Sequence, residues 1–173
     1  MKTKISTALL CCVILFSSCK KGGITFSLSN QTNLRVESSA PINLPFEIAT
    51  PDVTTNSSQE FQNNKTAGNL IKEVTLDELK LSITNPASKT FSFLKSIQIF
   101  ISTDGTDEVE LASLDNISST TQTITLTPAQ QNLLKYVKAS TYRLRTKVVT
   151  KETLTQAVDI KAAIRFKIKA SIL

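Results

Sequence analysis

The sequence predicts an all-β domain: a two-sheet antiparallel β-sandwich, immunoglobulin-like or jelly-roll-like, with one short helix. Three observations carry that expectation. Val158, Ile160, Ala162, Ile164, Phe166, Ile168 and Ala170 occupy every second position of one run, the period of a strand with a single dry face. Tyr142, Leu144, Thr146 and Val148 alternate in the same way with Arg143, Arg145 and Lys147. Turn-forming residues divide the chain into eight or nine such runs, and a helix is preferred to a strand in only one stretch, although LIKEVTLDELKL also admits a helical reading. A closed barrel is the alternative. An outer-membrane barrel fits poorly, because the outward faces carry Arg and Lys where lipid requires an apolar belt.

Taken in order, Ile24, Phe26 and Leu28 mark a first strand, Asn30–Asn33 a turn, and Leu34–Glu37 a resumption. Ile42, Leu44, Phe46 and Ile48 alternate again, and Pro45, lacking an amide donor, assigns that strand to a sheet edge. Residues 50–69 are polar. Phe61 is their only large hydrophobe and needs a packing partner, which favours a short strand over Ser58–Asn63 to a long structureless loop. Between Leu76 and Leu79 the apolar phase slips by one residue, which reads as a bulge in a strand over Val74–Asn85 that ends at the Asn85-Pro86 turn. Phe91, Phe93, Ile97, Ile99 and Ile101 suggest one long strand, turned at Asp104-Gly105 into a return strand through Val109 and Leu111. Ile124 and Leu126 mark another. Thr127 as N-cap and Pro128 at the first helical position, with Ala129, Leu133, Leu134 and Val137 on one face, predict a helix to Lys138. The two most regular strands follow as a final hairpin with its turn at Lys151–Gln156.

The amino terminus has its own logic. Lys2 and Lys4 precede a mostly apolar run from Ile5 to Phe16, too short to span a hydrocarbon core as a permanent helix. Phe16-Ser17-Ser18-Cys19 then gives a bulky apolar residue, two small ones and a cysteine. This resembles the lipobox of bacterial lipoproteins, with Phe16 standing where leucine is commoner. The resemblance implies cleavage of residues 1–18 as a signal peptide and acylation of Cys19, palmitate being one such chain, on the sulfur and the new amino terminus. Residues 19–23 become a lipidated tether and residues 24–173 a single domain. Several acyl chains give stable anchoring where one does not. Lys20, unlike an aspartate there, leaves out the inner-membrane retention signal of such proteins, so the outer membrane of a Gram-negative bacterium is the implied address.

Composition narrows the chemistry. Removing the first 18 of 173 residues leaves 155, enough for a substantial core. The cysteines are Cys11, Cys12 and Cys19, so the domain beyond the anchor carries no thiol, and there is no histidine in the chain. The commonest general base and the commonest transition-metal ligand are thereby excluded. No Gly-rich phosphate loop or G-x-S-x-G elbow occurs, and no cofactor is implied. The carboxylate pairs Asp77/Glu78 and Glu108/Glu110 have no arrangement that favours glycoside hydrolysis.

Charge is uneven. Lys135–Leu173 holds ten Lys/Arg against two acids, whereas Cys19–Leu134 holds eight against twelve. Alternation places Arg143, Arg145, Lys147, Lys161, Arg165, Lys167 and Lys169 on one outward sheet face, a candidate anion-binding surface. Like charges facing across strands need compensation, from acids such as Glu78, Glu108 and Glu110 or from an external anion. Asp104, Asp107 and Glu108 are a weak candidate for a hard cation, without the spacing of an EF-hand loop. These features together predict a lipid-anchored cell-envelope binding or accessory module without catalytic activity. Its partners would be the membrane, anionic lipid or another envelope polyanion, or a protein, and not nucleic acid. The alternative is a carrier holding an apolar or lipid ligand in a cavity lined by Phe91, Phe93 and Phe166.

Overall fold

A computed structural model of the chain describes residues 22–172, so the signal segment and Cys19 lie outside the described residues. The described chain runs β1 (Gly23–Val36), β2 (Pro45–Ala49), β3 (Val53–Thr54), α1 (Ser57–Asn63), β4 (Ile71–Asn85), β5 (Leu94–Ser102), β6 (Val109–Leu114), β7 (Thr123–Pro128), α2 (Leu134–Lys138), β8 (Thr141–Thr150) and β9 (Val158–Ser171). Short 3-10 turns cover Gly68–Leu70 and Phe91–Phe93.

The strands form one antiparallel sheet in the order β1-β9-β4-β7-β6-β5-β8-β2, with β3 also on β8. That sheet is curled. Its two halves join at β6–β7 through only two residue pairs, Ala112 with Pro128 and Ser113 with Thr127. The curl brings β8 across the core from β9, where the Tyr142 ring meets Phe166 edge-on at 6.1 Å. It also brings β1 close to the other end of the sheet, where the Asn30 amide donates to the Thr54 carbonyl at 3.4 Å.

Alternation decides which face is dry. All seven apolar positions of β9 are buried, and Tyr142, Leu144, Thr146 and Val148 of β8 are buried with them. The bulge expected in β4 is present as a register shift between Leu76 and Glu78. It lets Leu76 and Leu79 both face inward although three residues separate them. β2 is an end strand, as Pro45 requires. Ile97–Leu114 is a hairpin turned through a loop in which Gly105 has φ +83°.

Several expectations fail for identifiable reasons. Asn30–Asn33 is not a turn: β1 pairs with β9 without interruption from Gly23 to Val36. Its inward positions Asn30 and Thr32 are half-buried beside the sheet's other end, where polar side chains are tolerated. Gly23, assigned to the tether, is already paired with Ser171. Ser58–Asn63 is helical; the seven-residue α1 is enough to bury Phe61 against the Phe26 ring, 6.3 Å away and edge-on. Phe91 and Phe93 share an inward direction in a 3-10 turn ahead of β5, which imitates strand spacing. Thr127 and Pro128 end β7, paired to β6, and the helix shrinks to Leu134–Lys138. The final hairpin does not exist. β8 and β9 lie in opposite halves of the sheet, each paired with other strands.

Candidate functional site

Because β8 and β9 are separated, the seven cations expected on one face fall into two groups. Two of the three β8 cations are tied to acids. Arg143 Nε lies 2.7 Å from Asp52. Arg145 places Nε 2.8 Å from Glu108 and its second nitrogen on the same carboxylate, while Nη1 reaches Glu47 at 2.6 Å. The Arg145 guanidinium also covers the Phe100 ring at 4.3 Å. Its bond holds the Glu108 carboxyl below the usual carboxylate range. Lys147 stands across from Glu47 and Gln98 and forms no ion pair among the described residues.

The β9 group is less fully compensated. Arg165 binds Asp77 at 2.6 Å and Glu78 at 3.1 Å, and Lys169 binds Glu73 at 2.9 Å. The β4 bulge between Leu76 and Glu78 is what brings two consecutive acids within reach of one arginine. Lys161 and Lys167 face only hydroxyls and an amide across the strands: Asn33 and Ser82 for Lys161, Ser27 and Thr75 for Lys167. Neither forms an ion pair among the described residues.

Between Lys161 and Arg165 the outward row contains only Ala163, and the missing side-chain bulk leaves a hollow of about 480 Å³. It is lined by Ser29, Asn30 and Gln31 of β1, Thr54 and Asn56 across the seam, and Glu78, Lys161 and Arg165. Asn30 Oδ1 is buried here without a protein partner. Hydroxyls, amides, one uncompensated ammonium and an Arg–Glu pair suit a polyhydroxyl ligand that carries negative charge. The signal for this hollow is present in the sequence as the one alanine in the outward row of β9. Strand pairing alone shows that β1 amides, and not β8 cations, surround it.

The acidic cluster is a loop. Asp104 Oδ1 accepts from the Thr106 amide and hydroxyl, and Asp107 accepts from Thr103 N and Oγ1 and from Lys135 at 2.6 Å. The Lys135 and Thr103 bonds hold Asp107 well below the usual range. Glu108 turns away to Arg145, so the three carboxylates face three different sets of donors. Glu110, proposed to compensate the basic face, accepts from Gln98 at 3.1 Å. Among the described residues no group of three or more His, Cys, Asp or Glu could hold a metal ion, and no helix is long and apolar enough to cross a membrane.

Phe91, Phe93 and Phe166 are fully buried and line neither the hollow over Ala163 nor four other hollows formed by the described residues.

No family model matches the chain, and no curated protein matches it. Among solved structures, the chain is similar to that of Desmodium yellow mottle tymovirus at 9% identity and a TM-score of 0.30, over 99% of this chain and 97% of that one. Turnip yellow mosaic virus is similar at 8% identity and a TM-score of 0.28, over 87% and 96%. Likeness at this level carries no argument about function.

Proposed function

We propose that this chain is a lipid-anchored cell-envelope module, held at the outer membrane through Cys19, that works by binding and not by catalysis. Its curled sheet is read as a β-sandwich whose halves meet through the Tyr142–Phe166 contact and join through the two residue pairs of β6–β7. The ligand class is an envelope polyanion with hydroxyl groups, lipopolysaccharide being the available representative.

The observation that carries this reading is the hollow over Ala163: it lies on the surface, sets hydroxyls, amides and charged groups beside Ala163 and Ile164, and contains Lys161 free of any carboxylate partner among the described residues. That Phe91, Phe93 and Phe166 border none of these hollows weighs against the carrier alternative, which needs space around them. The carboxylate pairs weigh against glycoside hydrolysis, since Asp77 and Glu78 are both bound to Arg165 and Glu108 to Arg145. The anchor is tested by fractionation. Cys19→Ala should move the protein from the membrane to the soluble fraction and abolish labelling by a palmitate analogue. Retention in the membrane without label would refute anchoring through Cys19.

A further inference from the structure

The register of the strands gives the domain two ends. Gly23 pairs with Ser171 at one, and Val36 pairs with Val158 at the other, 14 residues or about 45 Å along β1. The far end is formed by residues 37–44, 86–90, 115–122 and 151–157. It carries two of the three exposed large hydrophobes among the described residues, Ile42 at 42% and Leu44 at 62%.

These two side chains are not on a loose loop. The Asn43 amide donates to the Thr150 carbonyl at 2.8 Å, the Thr150 hydroxyl donates to the Pro41 carbonyl at 2.6 Å, and Ile42 bridges to Thr150. Asn43 itself takes a left-handed conformation with φ 58°, which asparagine tolerates better than most residues. These bonds tie the backbone around Asn43 to Thr150 and leave the Ile42 and Leu44 side chains exposed to water. Apolar side chains already held exposed offer a partner contact area without the cost of ordering a loop on binding.

The surroundings define the occupant. Asn43, Lys95, Asn116, Ser118 and Lys151 line a hollow of about 380 Å³ with no acid in its wall. The Lys151 ammonium is fixed by a 2.7 Å bond to the Ile117 carbonyl, and neither lysine forms an ion pair among the described residues. Elsewhere at this end each cation has an acidic partner and acids are in slight excess: Arg35 binds both Glu37 and Asp159, and Lys89 binds Glu152. Asp115 lines a separate hollow with Lys147. The positive potential is thus local. It matches a short acidic segment better than the broad negative plane of a bilayer.

We propose that Ile42, Leu44, Lys95 and Lys151 form a docking surface for an acidic segment of a partner protein that carries at least one large apolar side chain. The surface is independent of the hollow over Ala163 and of acylation at Cys19.

The test is an array of extended peptides graded in charge and apolar content, with anionic phospholipid spots alongside, probed with the intact protein in detergent. Peptides combining Asp or Glu with a large apolar residue should be retained. Leu44→Asp should weaken that retention by about tenfold or more, and Lys95→Glu should shift the preference toward basic peptides, a change that misfolding would not produce. Retention that ignores peptide charge, or that Leu44→Asp leaves intact, overturns the proposal. So does Leu44-dependent retention on the lipid spots alone, which would make this a membrane contact. A Leu44-dependent dimer with no peptide binding would make it an interface between copies and would also overturn it.

Discussion

β8 and β9 follow one pattern and come to different ends. Each buries every second side chain and projects cations from the other face. In β8 two of those cations are built into the structure: Arg143 is bound by Asp52, and Arg145 is bound by Glu47 and Glu108 and stacked on Phe100. In β9 Lys161 and Lys167 face only hydroxyls and an amide on the paired strands, and Lys161 borders the hollow over Ala163. A run of alternating cations is therefore not itself a site. The partners supplied by neighbouring strands decide which charges hold the sheet together and which remain for a ligand.

The comparison can be broken first at the contact that joins the two strands. Phe166→Ala empties a fully buried position against Tyr142 and should cost about 3–5 kcal/mol of unfolding free energy. Denaturant unfolding would show it as a lower midpoint with little change in slope. A loss near zero would mean that the halves do not depend on each other there.

Arg145→Ala comes next, at about 1–2 kcal/mol, because it removes both a partly buried ion pair and the stacking on Phe100. It should also flatten the acid limb of the stability curve. Glu108 has its pKa lowered in the folded protein by Arg145, so the unfolded chain takes up that proton first. The associated stability is present above roughly pH 4.5 and disappears as pH falls through the folded value. Without Arg145 that contribution should be absent, which melts at pH 3 and pH 6 would reveal.

Tyr142→Phe is the smallest effect and has the opposite sign. The hydroxyl is buried without a partner, and burial pushes its pKa up. Removing it should leave stability unchanged or raise it by about 1 kcal/mol. Clear destabilisation would indicate that the hydroxyl is hydrogen-bonded in solution.

Much of the fold was legible because burial imposes period two on long strands. β9, β8 and the bulged β4 could be read from Val158–Ala170, Tyr142–Val148 and the Leu76/Leu79 slip. What could not be read was pairing between strands distant in the chain. The β8–β9 adjacency was assumed because they are consecutive, yet β9 finds β1 and β4 instead. Short elements also misled. Phe61 is buried by a seven-residue helix, and Asn30 and Thr32 look like turn residues because their strand ends the sheet. The hollow over Ala163 combines a visible feature, the alanine in the basic row, with the invisible one that Ser29 and Gln31 flank it.

The central claim is that the free charge of β9, and not the total positive charge, binds the ligand. Affinity for lipopolysaccharide should therefore be compared among the unmodified protein, Lys161→Glu and Arg143→Glu, two variants with the same change in net charge. Lys161→Glu should weaken binding by about tenfold or more, while Arg143→Glu should change it by less than about threefold. Equal losses in the two variants, or no binding by the unmodified protein, would contradict it.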